Sequence, residues 1–404
     1  MINRKLKVVW FCYFSNSTIQ NIIKPFKRIG EFAPWITNMI PLFENDEDVE
    51  LHIVSPHEWI SGTKHFVQNE VYYHFFNMNM PFLGRHWPGF FRFDIWTNYL
   101  VLKYRFGHII DRIKPDIIHM HGVENPFCIG IIQFKRTIPI FITIQGFIHK
   151  QVSKVSTKRV EKEIEIMTMF NHYGYRTQTM GEDIKKLNQN AVLHWHQYPS
   201  KVITPIDVEK KYDLVFFARM SQDKGIIDLL RAVSIIKKQK PEISLCAIGG
   251  GKIDKLKDIA CQLGIETNIS WIGFLPSQND VYKLAAQAKI SVLPTYNDII
   301  SGTILESLFL KLPVVAYNVG SIHEVNKNDE IISLVDKGDI EGLSNRIKLL
   351  LDNDKLLEDI AEKGRERAIE MFSVDDTEIR DDILKAYKIV IDDFKHNYMK
   401  GLYQ

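Results

Sequence analysis

Residues 290–325 have the sequence ISVLPTYNDIISGTILESLFLKLPVVAYNVGSIHEV. An apolar run rich in β-branched residues, Ile290–Leu293, ends at the turn former Pro294. A polar loop follows, then a stretch of helical character from about Thr303, and then a second apolar run at 314–316. Strand, loop, helix and strand form one βαβ unit. The first loop then lies at the carboxyl end of a strand, where open α/β sheets bind ligands.

Two acidic side chains of this stretch, Asp298 and Glu306, have a structural and a functional interpretation. Structurally, Thr303 and Glu306 have the spacing of a capping box, and Asp298 suits an Asx turn. Functionally, the amino end of the helix offers N–H donors and a positive dipole to a phosphate. The two carboxylates then accept hydrogen bonds from sugar hydroxyls. The stretch alone leaves both interpretations open.

Length and composition indicate a two-domain globular protein. A chain of 404 residues exceeds one ordinary core, which predicts two domains of roughly 150–200 residues. No apolar run approaches the roughly 18 residues that span a bilayer, and the apolar start of the chain suits a buried first strand better than a signal peptide. The cysteines are scattered without a CxxC pattern, which predicts that most of them are buried thiols in a cytoplasmic protein: Cys12, Cys128, Cys246 and Cys261.

The charge is distributed unevenly along the chain. Residues 1–200 hold 23 Lys and Arg against 17 Asp and Glu, whereas residues 201–404 hold 28 against 32. A basic amino-terminal half suits an anionic substrate or the anionic inner face of the cell membrane, although a solvated mixed surface explains the same counts. The excess of basic over acidic residues is small, and the sequence shows no nucleic-acid recognition motif. Nucleic-acid binding is therefore not indicated.

An aromatic stretch at residues 81–106, PFLGRHWPGFFRFDIWTNYLVLKYRF, carries interleaved arginines and a lysine. One interpretation is a core helix that begins near Phe91. The other is an interfacial or acceptor-binding element with aromatic rings at headgroup level.

Apolar runs alternate with helical patterns in both halves, which predicts two doubly wound parallel sheets. A polar, proline-bearing linker near 200–212 separates the halves, so the predicted domains are 1–200 and 201–375. The first is predicted to have helices at 18–42 and 148–170 and strands at 7–14, 49–54, 71–77, 115–122, 139–147 and 191–199. The second is predicted to have strands at 214–220, 243–251, 269–274 and 290–293.

Two histidines lie near the end of the predicted strand PDIIHMHG, 115–122. Alternation along a strand places His119 and His121 on the same face. A metal site is conceivable at this spacing, but no carboxylate or cysteine partner is evident. His121, at the mouth of the strand, suits contact with a substrate or a purely structural role.

Glycines and cations follow the strands of the second half. IGGGKID fits neither the Walker loop nor the dinucleotide fingerprint, so Gly249 and Gly250 indicate only a tight turn that a ligand can approach closely. Arg219 and Lys224 flank a turn that ends at Gly225. Two cations on one loop are suited to clamping a pyrophosphate.

Four segments of the second half together resemble a known family: ARMSQDKGIIDLLRA, AIGGG, WIGF and 290–325. Over roughly 214–325 they are similar to the carboxy-terminal domain of retaining glycosyltransferases of family 4, which have the GT-B fold. The similarity extends more weakly to PDIIHMHG and to residues 371–387. The resemblance implies two Rossmann-like domains facing a cleft, with a last helix, 376–404, that crosses back to the amino-terminal domain.

The family's acidic pair falls on Asp298 and Glu306. The resemblance implies that Arg219 and Lys224 hold the donor diphosphate and stabilise the charge developing on it. It implies that Glu306 binds the ribose, that Asp298 lies near the transferred sugar, and that His121 lies near sugar and acceptor. Further donor contacts are expected at Ser301, Gly302, Thr303, Gly249 and Gly250.

Several positions depart from the family pattern. Asp298 stands where Glu is usual, and Ile299-Ile300-Ser301 replaces the usual Gly-Phe-Gly. Gln145 occupies the position of a second histidine, and Ser15-Asn16-Ser17 replaces a glycine-rich loop.

The resemblance implies transfer of a hexose from a nucleoside diphosphate sugar to a saccharide or lipid-linked acceptor. The expected donor is a UDP-sugar, and the reaction is expected to need neither a metal ion nor a cofactor. Surface polysaccharide or glycolipid synthesis is the expected setting, in the cytoplasm or at the inner face of the membrane. Two alternatives stay open, namely a GT-B epimerase or hydrolase of sugar nucleotides and a non-catalytic subunit that binds them.

Overall fold

The structure is a computed structural model that describes residues 4–29, 31–78, 97–150, 157–327 and 329–400. The chain divides into two compact units. Unit 1 comprises Met1–Ser200 together with Val374–Gln404, and unit 2 comprises Lys201–Ser373. Each unit has its own sheet and its own hydrophobic core.

Unit 1 is built on one sheet. Its strands are β1 Leu6–Phe11, β2 Val49–His57, β3 Thr63–Gln68, β4 Val71–Asn77, β5 Ile117–His121, β6 Ile140–Thr143, β7 His172–Tyr175 and β8 Val192–Trp195. Their order is β3-β4-β2-β1-β5-β6-β7-β8, and only the β3–β4 pair is antiparallel among the described strands. The strand order reverses beside β1, so the switch point where such sheets bind ligands lies between β1 and β5.

Five helices of unit 1 within the described residues connect these strands. They are α1 Ser17–Ile23, α2 Pro34–Met39, α3 Leu100–Ile113, α4 Thr157–Met169 and α5 Gln178–Leu187. The side chains of Asn16 and Thr177 accept hydrogen bonds from the first turns of α1 and α5, which fixes where these two helices begin. Shorter 3₁₀ segments are Ile40–Phe43, Pro126–Phe134 and Ile148–Lys150.

Unit 2 has a fully parallel sheet among its described strands. They are β9 Tyr212–Phe217, β10 Leu245–Ile248, β11 Ile269–Gly273, β12 Ala288–Leu293, β13 Val314–Tyr317 and β14 Ile332–Val335. Their order is β11-β10-β9-β12-β13-β14, so the switch point lies between β9 and β12. β10, β12 and β13 are almost entirely buried, as expected for a parallel sheet covered on both faces.

The helices of unit 2 are α6 Ile226–Lys237, α7 Ile253–Gln262, α8 Gln278–Ala285, α9 Gly302–Phe309, α10 His323–Asn326, α11 Ile340–Leu351 and α12 Asp354–Phe372. The last helix, α13 Asp376–Met399, belongs to unit 1. There the Tyr387 hydroxyl of α13 accepts a hydrogen bond from Trp10 Nε1 at 2.8 Å, and Arg380 forms an ion pair with Asp46 at 2.6 Å.

The predicted α/β architecture with two doubly wound sheets is confirmed, with local corrections. The prediction of purely parallel sheets was wrong for β3, which forms an antiparallel hairpin with β4 through Asn69 and Glu70, both with positive φ. The prediction of helix over 18–42 was wrong in its middle, because Lys24 adopts a left-handed conformation that ends α1. β2 continues through Pro56 to His57.

The aromatic stretch falls partly outside the described residues, which exclude 79–96. Its last part lies in α3, whose buried side chains include Leu102 and Phe106. This part agrees with the core-helix interpretation in its burial, but the helix begins at Leu100 and not near Phe91, because Asn98 and Tyr99 have positive φ.

Candidate functional site

The loops that follow β9 and β12 lie side by side at the switch point of unit 2. Lys224 Nζ donates to Asp298 Oδ1 at 2.8 Å and to Oδ2 at 2.7 Å. The buried Thr295 hydroxyl donates to Asp298 Oδ2 at 2.6 Å. Within the described residues the donors to Asp298 are side chains, and the backbone N–H of Ile300 is not among them, so Asp298 does not form an Asx turn. Lys224 and Asp298 are therefore brought together, with side chains 19% and 20% exposed.

Arg219 points to different partners. Its guanidinium donates to Asp223 Oδ2 at 2.8 Å and to the Ser221 hydroxyl at 3.3 Å, and its side chain is 68% exposed. Burial acts to raise the pKa of Asp223, but hydrogen bonding from Ser221 and the charge of Arg219 hold it below the ordinary value. The two predicted cations thus share a turn, but only Lys224 contacts Asp298.

The amino end of α9 lacks the predicted capping box. Ser301 is the N-cap residue, and its side chain makes no capping bond. The Thr303 hydroxyl instead donates to the carbonyl of Phe217 at 3.0 Å, which ties α9 to the end of β9. Gly302 is exposed, and a Cβ built there meets nothing within 4 Å. The first turn therefore presents backbone amides, which have no partner within a helix, beside open space.

Glu306 is bound by side chains of α8. Its Oε1 accepts a hydrogen bond from the Tyr282 hydroxyl at 3.1 Å and from Gln278 Nε2 at 3.3 Å. Burial raises the pKa of Glu306 to about 7, against the lowering effect of the bond from Tyr282. The structural interpretation of Glu306 as a capping residue was therefore wrong, and its carboxyl group titrates near neutral pH.

Two glycines permit close backbone contacts between the loop that follows β9 and the loops that follow β10 and β12. Gly249, at the end of β10, has φ +142°, and a Cβ there would lie 1.9 Å from the carbonyl oxygen of Ala218. Gly225 has φ +78°, and a Cβ would lie 1.9 Å from the carbonyl oxygen of Pro294. At the predicted contact Gly250, a Cβ would meet only Phe274 at 3.7 Å.

In unit 1, His119 and His121 lie on one face of β5 as predicted, with ring centroids 3.8 Å apart. His119 contacts Tyr387 and Thr143, and His121 Nδ1 lies 3.3 Å from Thr143 Oγ1. His121 Nε2 is buried and has no hydrogen-bond partner among the residues that the structure describes. Burial holds the pKa of both histidines well below the ordinary value, with smaller effects of His121 on His119 and of His196 on both, so both are neutral.

Several residues of these sites had no local sequence signal. Gln278 and Tyr282 lie in a stretch that predicts only a surface helix, and Tyr387 lies 268 residues from His119. Thr295 is a buried hydroxyl in a loop. Each acts through a contact distant in sequence or through burial that the local pattern does not reveal.

Within the described residues, no group of three or more His, Cys, Asp or Glu side chains is arranged to hold a metal ion. None of the described helices is both long and apolar enough to cross a membrane. All four cysteines are free, and three are buried as predicted, while Cys261 is exposed. Burial raises the pKa of Cys246 to about 12.

Comparison with known sequences links unit 2 to one family. Residues 204–367 match the family described as Glycosyl transferases group 1. The capsular polysaccharide biosynthesis glycosyltransferase CapM of Staphylococcus aureus is 25% identical over 158 residues, which cover 39% of this chain and 41% of CapM. The lipopolysaccharide core biosynthesis glycosyltransferase LpsE of Rhizobium meliloti is 26% identical over 292 residues, covering 68% of this chain and 76% of LpsE.

The matches to the first curated relatives are partial. In CapM and two others they span 41%, 46% and 40% of the relative's own length.

Solved structures match nearly the whole chain. Sucrose-phosphate synthase from Thermosynechococcus elongatus matches with a TM-score of 0.70 and 13% identity, covering 98% of this chain and 99% of the synthase. Anabaena HepE in complex with UDP and glucose matches with a TM-score of 0.67 and 13% identity, covering 95% and 99%. At this identity the likeness concerns the fold. The chain therefore has the GT-B fold of two Rossmann-like units, and residues 204–367 of its second unit carry the similarity to the group 1 glycosyl transferases.

Proposed function

We propose that the protein is a retaining glycosyltransferase of family 4 that transfers a hexose from a nucleoside diphosphate sugar, first of all a UDP-sugar, to a saccharide or lipid-linked acceptor. The proposed setting is surface polysaccharide or glycolipid synthesis, as in the names of CapM and LpsE. The observation that carries the proposal is the Lys224–Asp298 pair at the switch point of unit 2, four residues before the open amino end of α9. The likeness in fold to HepE, whose structure was solved in complex with UDP and glucose, supports the choice of donor.

In the proposed reaction, the bond between the sugar C1 and the diphosphate oxygen breaks, and its electrons remain on the diphosphate. Lys224 and Arg219 stabilise that charge, Arg219 by exchanging Asp223 for a phosphate oxygen. The acceptor hydroxyl oxygen then bonds to C1 on the same face, and its proton passes to the departing diphosphate. Two cations and the α9 amides suit this chemistry, so no divalent metal is invoked.

Glu306 is proposed to bind the ribose. One carboxyl oxygen is held by Tyr282 and Gln278, which fixes the orientation of the group. The ionised carboxyl can then accept hydrogen bonds from ribose hydroxyls.

Calorimetry with UDP, GDP, ADP and their sugars, without metal and with a chelator present, tests the donor site. We expect one nucleotide to bind, with binding weakened in Lys224→Ala, Arg219→Ala and Glu306→Ala. Lys363→Ala is the control, because its pair with Asp359 is exposed on α12 and contributes little. Absence of binding by every nucleotide, or binding that ignores all three site variants, would contradict the proposal.

A non-catalytic nucleotide-sugar-binding subunit is the second candidate. The observation that favours it is that Asp298 already neutralises Lys224 with two hydrogen bonds. It predicts donor binding without any loss of the sugar, either to water or to acceptors. Release of UDP from the bound donor, followed over hours with saccharide acceptors, separates the two candidates.

We also propose contact with an anionic membrane surface through the loop after α1. Phe26 is 67% exposed there, and the neighbouring Lys24, Lys27 and Arg28 are exposed as well. An exposed aromatic ring among cations suits the headgroup region of anionic lipids. Binding to phosphatidylglycerol vesicles at low salt, lost in Phe26→Ser with Lys27→Glu, tests this. Failure of the wild-type protein to bind such vesicles contradicts it.

A further inference from the structure

A chain of hydrogen bonds crosses the core of unit 1 and ends at His121. Trp10 Nε1 donates to Tyr387 Oη at 2.8 Å, and Tyr387 Oη lies 2.7 Å from His119 Nδ1. His119 Nε2 lies 3.1 Å from Thr143 Oγ1, which lies 3.3 Å from His121 Nδ1. All five side chains are buried. The chain joins α13 to the mouth of β5.

The direction in which protons are donated along this chain of hydrogen bonds follows from Trp10. An indole N–H can only donate, so Tyr387 Oη accepts from Trp10 and has one proton left to give. That proton goes to His119 Nδ1. Because burial keeps His119 neutral, its single proton is then on Nε2 and is donated to Thr143.

The last steps fix the state of His121. The Thr143 hydroxyl, having accepted from His119, donates its own proton to His121 Nδ1. His121 is neutral as well, so its proton is on Nε2, the atom that has no partner in the described part of the protein. The arrangement leaves one buried donor unsatisfied, at the end of the strand.

The opposite direction is less favourable. With protons on Nδ1 of both histidines, the Tyr387 hydroxyl proton would have no acceptor in the chain. His121 Nε2 would then be a bare acceptor, also without a partner. Two buried polar atoms would be unsatisfied instead of one, and each such atom is costly.

We propose that Tyr387 and Trp10 are positioning residues that hold His121 as the Nε2–H tautomer, so that His121 is a hydrogen-bond donor to an oxygen atom of the bound saccharide. In this tautomer the basic nitrogen of His121 is Nδ1, which is bonded to Thr143. His121 therefore cannot act as a general base toward the ligand. The ligand atom must be an acceptor, such as a hydroxyl or ring oxygen. The identity of the ligand rests on the proposed function, whereas the tautomer does not.

The tautomer can be measured on the full chain by NMR of ¹⁵N-labelled histidine, with His121 assigned by its loss in His121→Gln. A protonated ring nitrogen gives a pyrrole-type resonance and a bare one a pyridine-type resonance. We expect the pyrrole type at Nε2 and the pyridine type at Nδ1 of His121. The reverse assignment in the wild-type protein would overturn the proposal, whatever the enzyme's activity.

Tyr387→Phe tests the positioning role, because it removes the link between Trp10 and His119. We expect both His121 resonances to move toward an average of the two tautomers. Tyr173→Phe is the matched control, since the equally buried Tyr173 hydroxyl bonds to backbone carbonyls of Met167 and Phe170 outside the chain. Unchanged His121 resonances in Tyr387→Phe would overturn the role of Tyr387.

Measurement of turnover distinguishes a hydrogen-bond donor from a general base at His121. His121→Gln keeps an N–H donor at a similar reach, and His121→Leu keeps none. We expect His121→Gln to retain much more activity than His121→Leu. A general base would instead lose about 10²–10⁴-fold in both variants, and that result would overturn the donor role. If the protein binds no nucleotide sugar at all, the proposed function is contradicted. The NMR result alone then decides the tautomer of His121.

Discussion

Lys224 Nζ lies 2.8 and 2.7 Å from the two carboxylate oxygens of Asp298, so one lysine joins the loops that follow β9 and β12. The same loops are joined by a bond from Tyr296 N to the carbonyl of Asp223 at 2.9 Å. The lysine is therefore held at the switch point before any ligand arrives. Asp298, whose carboxylate also accepts from Thr295, is therefore positioned to orient Lys224.

Lys224→Ala is expected to weaken donor binding and to lower kcat/KM by about 10²–10³-fold, the effect of removing one donor that stabilises developing charge. Asp298→Asn leaves the charge of Lys224 in place but replaces one of the two carboxylate oxygens that accept hydrogen bonds from it. It is expected to lower turnover while donor affinity stays within about tenfold of wild type. Calorimetry and initial rates with the same UDP-sugar measure the two effects. An equal loss of affinity in both variants would show that Asp298 binds the donor directly.

Donor affinity is expected to rise with pH through about 7, the value to which burial raises the pKa of Glu306. The protonated carboxyl accepts less well from the ribose hydroxyls, so affinity at pH 6 is lower than at pH 8, by up to about tenfold. UDP-glucose is the suitable ligand, because its diphosphate keeps a constant charge over this range. Glu306→Gln should abolish the dependence.

Tyr282→Phe extends the same experiment. The bond from Tyr282 lowers the pKa of Glu306, so its loss should move the midpoint to higher pH. Tyr317→Phe is the control, because that hydroxyl bonds to Asp228 at 2.9 Å and not to Glu306. A midpoint that stays fixed in Tyr282→Phe would contradict the role given to this hydroxyl.

Much of the α/β order could be predicted because buried parallel strands are local apolar runs. β9, β10, β12 and β13 are of this kind. The strand β3 was missed because five of its six residues are exposed and the turn at Asn69-Glu70 contains no glycine. The return of α13 to unit 1 was expected only from the family resemblance, since nothing local in a helix says which sheet it covers.

The candidate site was predictable in its residue types but not in its contacts. Lys224 and Asp298 are 74 residues apart, and their meeting depends on β9 lying beside β12. The capping box at Thr303 fitted the local pattern, yet Thr303 bonds to Phe217, 86 residues away. Strand order decides both outcomes, and a local pattern does not contain it.

Gly302→Ala tests whether a donor phosphate approaches the first turn of α9. A Cβ at this position meets nothing within 4 Å, and Ala favours a helix over Gly, so the free energy of unfolding should not fall. Donor affinity should nevertheless drop roughly tenfold, equal to about 1.4 kcal/mol, because the methyl group occupies space next to the amides. Gly107→Ala on α3 is the helical control, where a Cβ meets only the flexible end of Gln133 at 3.3 Å. Full affinity in Gly302→Ala would place the phosphate elsewhere.

Unit 1 is expected to lose stability as the pH falls below about 6.5. Burial lowers the pKa of His57 and of His194 to about 4 and that of His74 and of His196 to about 3. The unfolded chain therefore binds more protons than the folded unit between about pH 6.5 and these values, and stability decreases with falling pH. Each such histidine contributes about 1 kcal/mol of loss between pH 6.5 and 5.5. Glu124 acts in the opposite sense, because burial raises its pKa to about 7.

The histidines and tryptophans of the chain allow unit 1 to be observed separately in this experiment. Of the 14 histidines of the chain, only His323 lies within 201–373, and Trp271 is the only tryptophan there. Urea unfolding of Trp271→Phe at pH 7.5, 6.5 and 5.5 then reports on unit 1 alone through its remaining tryptophans. The unfolding free energy should fall with pH, and less steeply in His57→Gln, which removes one of the depressed pKa values. If stability is constant from pH 7.5 to 5.5, the buried imidazoles are not kept neutral by the fold, and the tautomer assigned to His121 loses its basis.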